Sequence, residues 1–281
     1  KTPDTYEQLI EKVAEQIALL QSIEGVRTLG VGISLPGLFD CREGRSILSP
    51  NVPITNNQCI GKDLSERLGL TCIVLQEAHA LCLAERHYGL ARGMNDFAML
   101  DASTGIGLGV LIEGRLMKGS SGFAGEIGHL PMVPNGVLCG CGRVGCLETI
   151  ASDTALSGLV SNRVGRRMDI DQIIESVQAG ELNVTTELDQ VWKQLVFALV
   201  TTINLFNPQT LYIHSRMFDI DTSVFDRLIE STGTMAIASS FRDCRIERAR
   251  GSKLEGAIAG IIEHLTDLRV SELNPHFLNV L

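Results

Sequence analysis

Nowhere in the 281 residues does an unbroken apolar run approach the roughly 18 residues of a membrane span, and no basic, apolar leader precedes the first helical stretch. Neither a membrane span nor a secretory signal is expected, which makes a cytoplasmic protein the default. Positive charge is scarce as well. Against 33 Asp and Glu stand 24 Lys and Arg, a net charge of −9, and these cations are scattered apart from a mild enrichment between Arg242 and Arg250. Gripping a phosphate backbone requires a clustered basic face, so DNA contact is expected only through some other segment. Eight cysteines are too few in a chain this long for the disulfide scaffold of a small secreted protein. No internal repeat is visible.

What is present is a globular balance, 44% hydrophobic and 20% charged, enough to build a core in two lobes or in one large α/β unit. Tyr6, Leu9, Ile10, Val13, Ile17 and Leu20 mark one face of a helix capped near Asp4. A strand over Thr28–Ile33 follows and is broken by Pro36 and Gly37. A helix over Lys62–Leu68, a strand over Cys72–Leu75 and a helix over Ala78–Tyr88 come next. Such strand-to-helix corners are where α/β proteins place ligands. Two extended runs between Asp96 and Ile112 are joined through Thr104-Gly105-Ile106-Gly107-Leu108-Gly109, and Glu113-Gly114-Arg115 reads as a hairpin turn. Further on, the pattern predicts a helix over Ile170–Gln178, then a longer one striped by Leu188, Val191, Trp192, Leu195, Leu199 and Ile203 that stops before Pro208. A strand at Leu211–Ile213, a helix at Phe225–Ala238, an edge strand at Cys244–Glu247 and a closing helix at Leu254–Leu268 complete an α/β chain with a mixed sheet.

The stretch from Gly125 to Glu148 carries the chemistry. His129, Cys139, Cys141 and Cys146 form a Cys₃His set, the donor chemistry of a tetrahedral structural zinc. Gly140, Gly142 and Gly145 let the loop turn tightly around one ion, and a loop so rich in glycine needs metal to be stiff. Iron–sulfur binding is disfavoured by the histidine and by the isolation of the cluster. The other cysteines, 41, 59, 72, 82 and 244, stand singly and read as small hydrophobes or idle thiols. An imidazole bound through one nitrogen aims its other N–H in a fixed direction, a natural donor to a ligand hydroxyl. Glu126 and Glu148 flank the cluster, and two carboxylates on a rigid loop suit the vicinal hydroxyls of a sugar.

From Gly125 through GCLETIAS, ending at Ser152, the chain strongly resembles the ROK family of sugar kinases and sugar-responsive repressors. The likeness continues in SLPGLFD (34–40), SPN (49–51), TGIGLG (104–109) and INLFNPQ (203–209), and covers nearly the whole chain. It implies a two-lobed, actin-like α/β fold, with a smaller lobe over 1–99 plus about 268–281 and a larger one over 100–267 that holds the zinc loop 125–148. By the same likeness the Cys₃His set binds structural zinc, and Asn51, Glu126, His129 and Glu148 contact the sugar. His79 stands where the kinases often have asparagine.

Departures from the kinase pattern bear on activity. Family kinases carry an Asn-Asp pair at the strand-to-helix corner, the Asp acting as base; here the corner reads Gln76-Glu77. A longer side chain displaces the carboxylate by roughly 1.5 Å, and a misplacement of about 1 Å can cost on the order of a hundredfold in rate. Gln76 and Glu77 are therefore expected to bind sugar, with no residue assigned as catalytic. The N-terminal Asp-x-Gly-x-Thr hairpin that seats ATP is not in the sequence, so the first strands of that lobe are expected either to be missing or to lie outside it. The second phosphate-type loop, with Thr104, Gly105 and Gly107, is present, but such a loop serves equally as a tight hairpin. Where the kinases place Gly-Gly near adenosine, this chain has the bulkier His214-Ser215.

GCLETIAS and INLFNPQ look more like the N-acetylglucosamine-type and xylose-type repressor branch. The expectation is thus a sugar-sensing, oligomerising domain of a repressor, a homodimer or dimer of dimers, whose DNA contact is made by a module outside this sequence. An ATP- and Mg²⁺-dependent sugar kinase is the alternative. Sugar would act by binding one arrangement of the protein better than another.

Overall fold

Thr5, one residue later than the expected Asp4, caps the first helix: its hydroxyl accepts from the Gln8 backbone N–H at 3.3 Å, while the Asp4 N–H is taken up by Gln8 Oε1 at 3.3 Å. The computed structural model describes residues 2–273, with side chains through 267. After α1 (Tyr6–Gln21) comes β1 (Gly30–Leu35), then β2 (Leu38–Asp40) and β3 (Arg45–Leu48), an antiparallel pair the sequence pattern did not reveal. Gly37, at φ +96°, makes the break between β1 and β2. A Cβ there would lie 2.0 Å from the Leu48 carbonyl oxygen, so only glycine fits. Next are α2 (Ile60–Leu68), β4 (Thr71–Gln76), parallel to β1, and α3 (Glu77–His87). Phe39, Leu35, Ile60 and Leu64 are buried under Tyr6, Ile10 and Val13 of α1.

A five-stranded mixed sheet, in the order β7-β6-β5-β8-β9, organises the next stretch. Its first strands are β5 (Phe97–Asp101), β6 (Gly107–Ile112) and β7 (Arg115–Leu116); the β6–β7 turn uses the positive φ angles of Glu113 and Gly114. The helices are α4 (Glu148–Ala151), α5 (Asp153–Val164), α6 (Ile170–Gln178) and α7 (Thr185–Phe206). Then come β8 (Thr210–His214), α8 (Ser223–Met235), α9 (Ala238–Asp243) and β9 (Arg245–Arg248), with β8 parallel to both β5 and β9. As expected, β9 lies at the sheet edge and the α7 stripe, Leu188, Val191, Trp192, Leu195, Leu199 and Ile203, is buried. Each such side chain contributes on the order of 2 kcal/mol to holding the helix on the sheet. Asn207 ends α7 in the left-handed region, one residue before Pro208. The single helix expected over Phe225–Ala238 is two: the chain extends at Ala236, and the side chain of Asn204 takes the Ile237 N–H at 3.0 Å. The helix α5 had not been anticipated.

The closing helix α10 (Lys253–Leu273) packs on α3, β1 and β4. Gly32 permits that approach, since a Cβ on it would lie 1.9 Å from the Ala257 carbonyl oxygen. By their contacts the residues form two units, one of 1–89, 119–123 and 251 onward, the other of 90–118 and 124–250. The main changes of unit thus fall at 89/90 and 250/251, where the sequence suggested 99/100 and 267/268; the second is earlier because α10, which starts at Lys253, packs on α3, β1 and β4 of the first unit. The expected return over 268–281 ends outside the described residues. No helix among the described residues is long and apolar enough to cross a membrane.

Candidate functional site

The cysteine loop folds back on itself through two isolated antiparallel bridges, Pro131 with Cys146 and Leu138 with Val144. The Cys139 N–H donates to the Arg143 carbonyl at 2.7 Å, the Gly142 N–H to the Cys139 carbonyl at 2.9 Å, and the Gly145 N–H to the Val137 carbonyl at 2.9 Å. Gly145 has no substitute: φ is +73°, and a Cβ would lie 1.6 Å from the Val133 carbonyl oxygen. This loop gathers His129, which ends a short 3₁₀ turn, with Cys139, Cys141 and Cys146, so that their four donor atoms all lie within 4.8 Å of one another.

Zinc bond lengths of about 2.3 Å to sulfur and 2.05 Å to nitrogen give tetrahedral edges of roughly 3.8 Å between sulfurs and 3.6 Å between sulfur and nitrogen. Cys141 Sγ and Cys146 Sγ are 3.7 Å apart, and Cys139 Sγ lies 3.6 Å from His129 Nδ1. The donor set therefore fits a metal ion, which these residues could hold. Burial pushes the thiols of Cys139 and Cys146 up from their ordinary value. For Cys141 burial is outweighed by the hydrogen bond from the Arg143 backbone N–H and those shared with Cys139 and Cys146, and its thiol is held low.

Since Nδ1 of His129 faces the sulfurs, Nε2 turns the other way and lies 3.6 Å from Glu126 Oε2. Glu148, the first residue of α4, accepts from the Cys139 thiol at 2.7 Å through Oε1, 3.7 Å from His129 Nδ1. Its other oxygen approaches the β5–β6 loop, where a Cβ on Gly105 would lie 2.8 Å away. The two glutamates and the imidazole singled out in the sequence are thus together, in one unit, beside the cysteine sulfurs. Thr104 is exposed at the tip of the same loop, between Asp101 and Gly107.

Asn51, Gln76 and Glu77 belong to the first unit. Asn51 is exposed on the turn after β3, Gln76 is buried at the end of β4, and Glu77 opens α3. His79, two residues further on, is buried. Glu77 is not a lone carboxylate: Lys253 Nζ, from the first turn of α10, is 3.0 Å from its Oε1, both side chains about three-quarters buried. Nothing in the sequence near Glu77 signals that partner.

A second group missed by sequence reading surrounds the ends of β5 and β8. His214 Nδ1 lies 2.9 Å from Asp101 Oδ1, which also accepts from the Ser103 hydroxyl at 2.7 Å. Ser215, expected only to add bulk, donates its hydroxyl to Asp153 Oδ1 at 2.6 Å. Asp153 lies next to Ser152 at the end of the motif, but its role is set by residues more than sixty positions away.

With this geometry in place, comparisons with known proteins become specific. The ROK family model matches residues 1–262. A glucokinase of Thermotoga maritima is 33% identical over 221 residues, covering 74% of this chain and 69% of that protein. The N-acetylglucosamine repressor of Escherichia coli O157:H7 is 29% identical over 218 residues, covering 74% of this chain and 53% of the repressor, so the match spans about half of its length. Among solved structures, the ROK hexokinase from Thermus thermophilus superposes with a TM-score of 0.76 at 28% identity, covering 94% of this chain and 89% of that one. The fold is the actin-like α/β fold of these relatives, and its mixed sheet is the one expected. Kinases and repressors alike are among the relatives, and on the family match over residues 1–262 this chain belongs to the ROK family.

Proposed function

We propose that this chain is the sugar-sensing and oligomerisation domain of a ROK-type transcriptional repressor, acting in the cytoplasm as a homodimer or dimer of dimers. The observation that carries this is the ion pair at the start of α3. A catalytic base must be free to take a proton from the attacking hydroxyl, whereas Glu77 is held 3.0 Å from the Lys253 ammonium. A carboxylate so paired can still accept a hydrogen bond from a sugar. Glu126, Glu148 and Nε2 of His129 supply two acceptors and a donor to the sugar.

The Cys₃His set would hold zinc, through His129 Nδ1 and the sulfurs of Cys139, Cys141 and Cys146. Zinc supplies stiffness here and no chemistry on the sugar. Ligation needs Cys139 as thiolate, which would release Glu148 Oε1 from the thiol and leave it for a sugar hydroxyl. DNA would be contacted by a module outside this sequence, consistent with the net charge of −9. Sugar works as an effector by binding one state of the protein better than the other.

The kinase alternative, with ATP and Mg²⁺, draws on the 33% identity to a glucokinase and on the Thr104–Gly107 loop. One experiment separates the two. A panel of hexoses, pentoses and N-acetylhexosamines, each read by thermal shift and by phosphate transfer from ATP, should give sugar-dependent stabilisation with no product. Phosphorylated sugar would establish the kinase, and an absence of any shift would remove the sensor.

A further inference from the structure

A hydroxyl that is buried and satisfied by nothing is uncommon in a folded protein and calls for an explanation. Ser34, on β1, carries one: its oxygen is shut off from solvent and has no hydrogen-bond partner. Two registers fix its surroundings. Along β1, a Cβ on Gly30 would meet Ile261 at 2.9 Å, and one on Gly32 would meet the Ala257 carbonyl oxygen at 1.9 Å. Alternate residues of a strand face one way, and each such step matches about one turn of the helix lying on them. Ser34 therefore comes level with Lys253, the first residue of α10. Across the sheet it pairs with Leu75 of β4, two residues before Glu77.

Both registers lead to the corner where Lys253 Nζ stands 3.0 Å from Glu77 Oε1, at the carboxyl ends of two parallel strands. Their side chains are 21% and 27% exposed, so the corner is open to solvent, and Ser34 is itself partly exposed. Ser46 and Ser49 also have unpartnered hydroxyls, but both residues are at 0% exposure and no ligand could reach them. A hydroxyl, a carboxylate and an ammonium in one corner suit a neutral ligand rich in hydroxyls. One ligand hydroxyl can donate to Glu77 and accept from Lys253 while a neighbouring oxygen accepts from Ser34. A phosphate suits the corner less, because Glu77 already answers the charge of Lys253.

We propose that Ser34 is a sugar contact of the first unit, donating its hydroxyl to a ligand oxygen beside the Glu77–Lys253 pair. The ligand then supplies the acceptor that the fold withholds. This rests on the sensor reading and adds a residue to it.

The test is Ser34→Ala, titrated with glucose, N-acetylglucosamine and xylose and followed by unfolding temperature. A hydroxyl without a partner contributes nothing to the sugar-free fold, so Tm without sugar should stay within about 1 °C of the wild type or rise. For the sugar that stabilises the wild type most, the apparent Kd should increase about fivefold to tenfold. Ser46→Ala removes another unpartnered hydroxyl, on β3, and should leave that Kd unchanged. A clear fall in the sugar-free Tm of Ser34→Ala would mean that the hydroxyl holds the fold, and overturns the proposal. So does an equal weakening in both variants. A wild type stabilised by none of the three sugars overturns the sensor reading together with the contact, whereas a responsive wild type matched in Kd by Ser34→Ala overturns the contact alone.

Discussion

The cysteine loop and the buried Asp153 cluster at the end of β8 belong to the same unit and are made of similar parts, short loops whose backbone amides bind polar side chains, yet they end differently. In the first, four soft donors from one short stretch of chain, His129 to Cys146, are turned toward one another. In the second, the donors are hard N–H and O–H groups, and a carboxylate brought in from 62 to 64 residues away satisfies them. One arrangement is suited to a cation, the other meets its own anion. Two such clusters can thus share one unit and differ in whether the chain supplies the counter-charge itself.

The contrast can be broken most forcibly at the loop. Cys146→Ser removes a sulfur that is 1% exposed; bound zinc should fall from one equivalent to near zero by elemental analysis, with a drop in Tm of about 10 °C. Cys41→Ser, at an exposed cysteine outside the ligand set, should change neither. Gly145→Ala keeps every donor but forces a Cβ toward the Val133 carbonyl. It should cost about 3 kcal/mol in chemical denaturation and weaken metal retention. In the Asp153 cluster, Asp153→Ala leaves a buried hydroxyl and two amides without their acceptor and should cost about 2 kcal/mol without loss of metal.

The smallest effect expected is one of pH. Because the folded-state carboxyl of Asp153 is raised, mainly by burial, its contribution to stability is full below the ordinary value of 3.8 and is lost as pH rises through the raised value. Over that window, Tm of the wild type should fall by about 1–2 °C relative to Asp153→Asn, which does not titrate there. An identical pH dependence for the two would mean that the carboxyl is not held high.

Much of the fold was legible because its signals are local and periodic. The α7 stripe, the α6 helix over Ile170–Gln178 and the β6–β7 turn all lie where the pattern put them. By contrast, β2 and β3 are too short to show alternation and exist through pairing with each other. Helix α5 buries Asp153, Leu156 and Val160, too few apolar positions to make a stripe. The Phe225–Ala238 helix looked continuous because no proline or glycine stands at 235–238, Gly233 lying inside α8; at the break the side chain of Asn204, on another helix, takes the Ile237 N–H.

By itself the sequence determined the Cys₃His donor set, the α/β alternation and the family. Each of these depends on residues near in the chain, whose spacing limits where their side chains can go. Only the tertiary structure decided that Glu77 lies against Lys253 and that Asp153 answers the amides of Arg216 and Met217. Those partners meet through the packing of α10 on the first sheet and of α5 across the ends of β5 and β8, and a charge buried by such packing must find whatever donor the fold brings beside it.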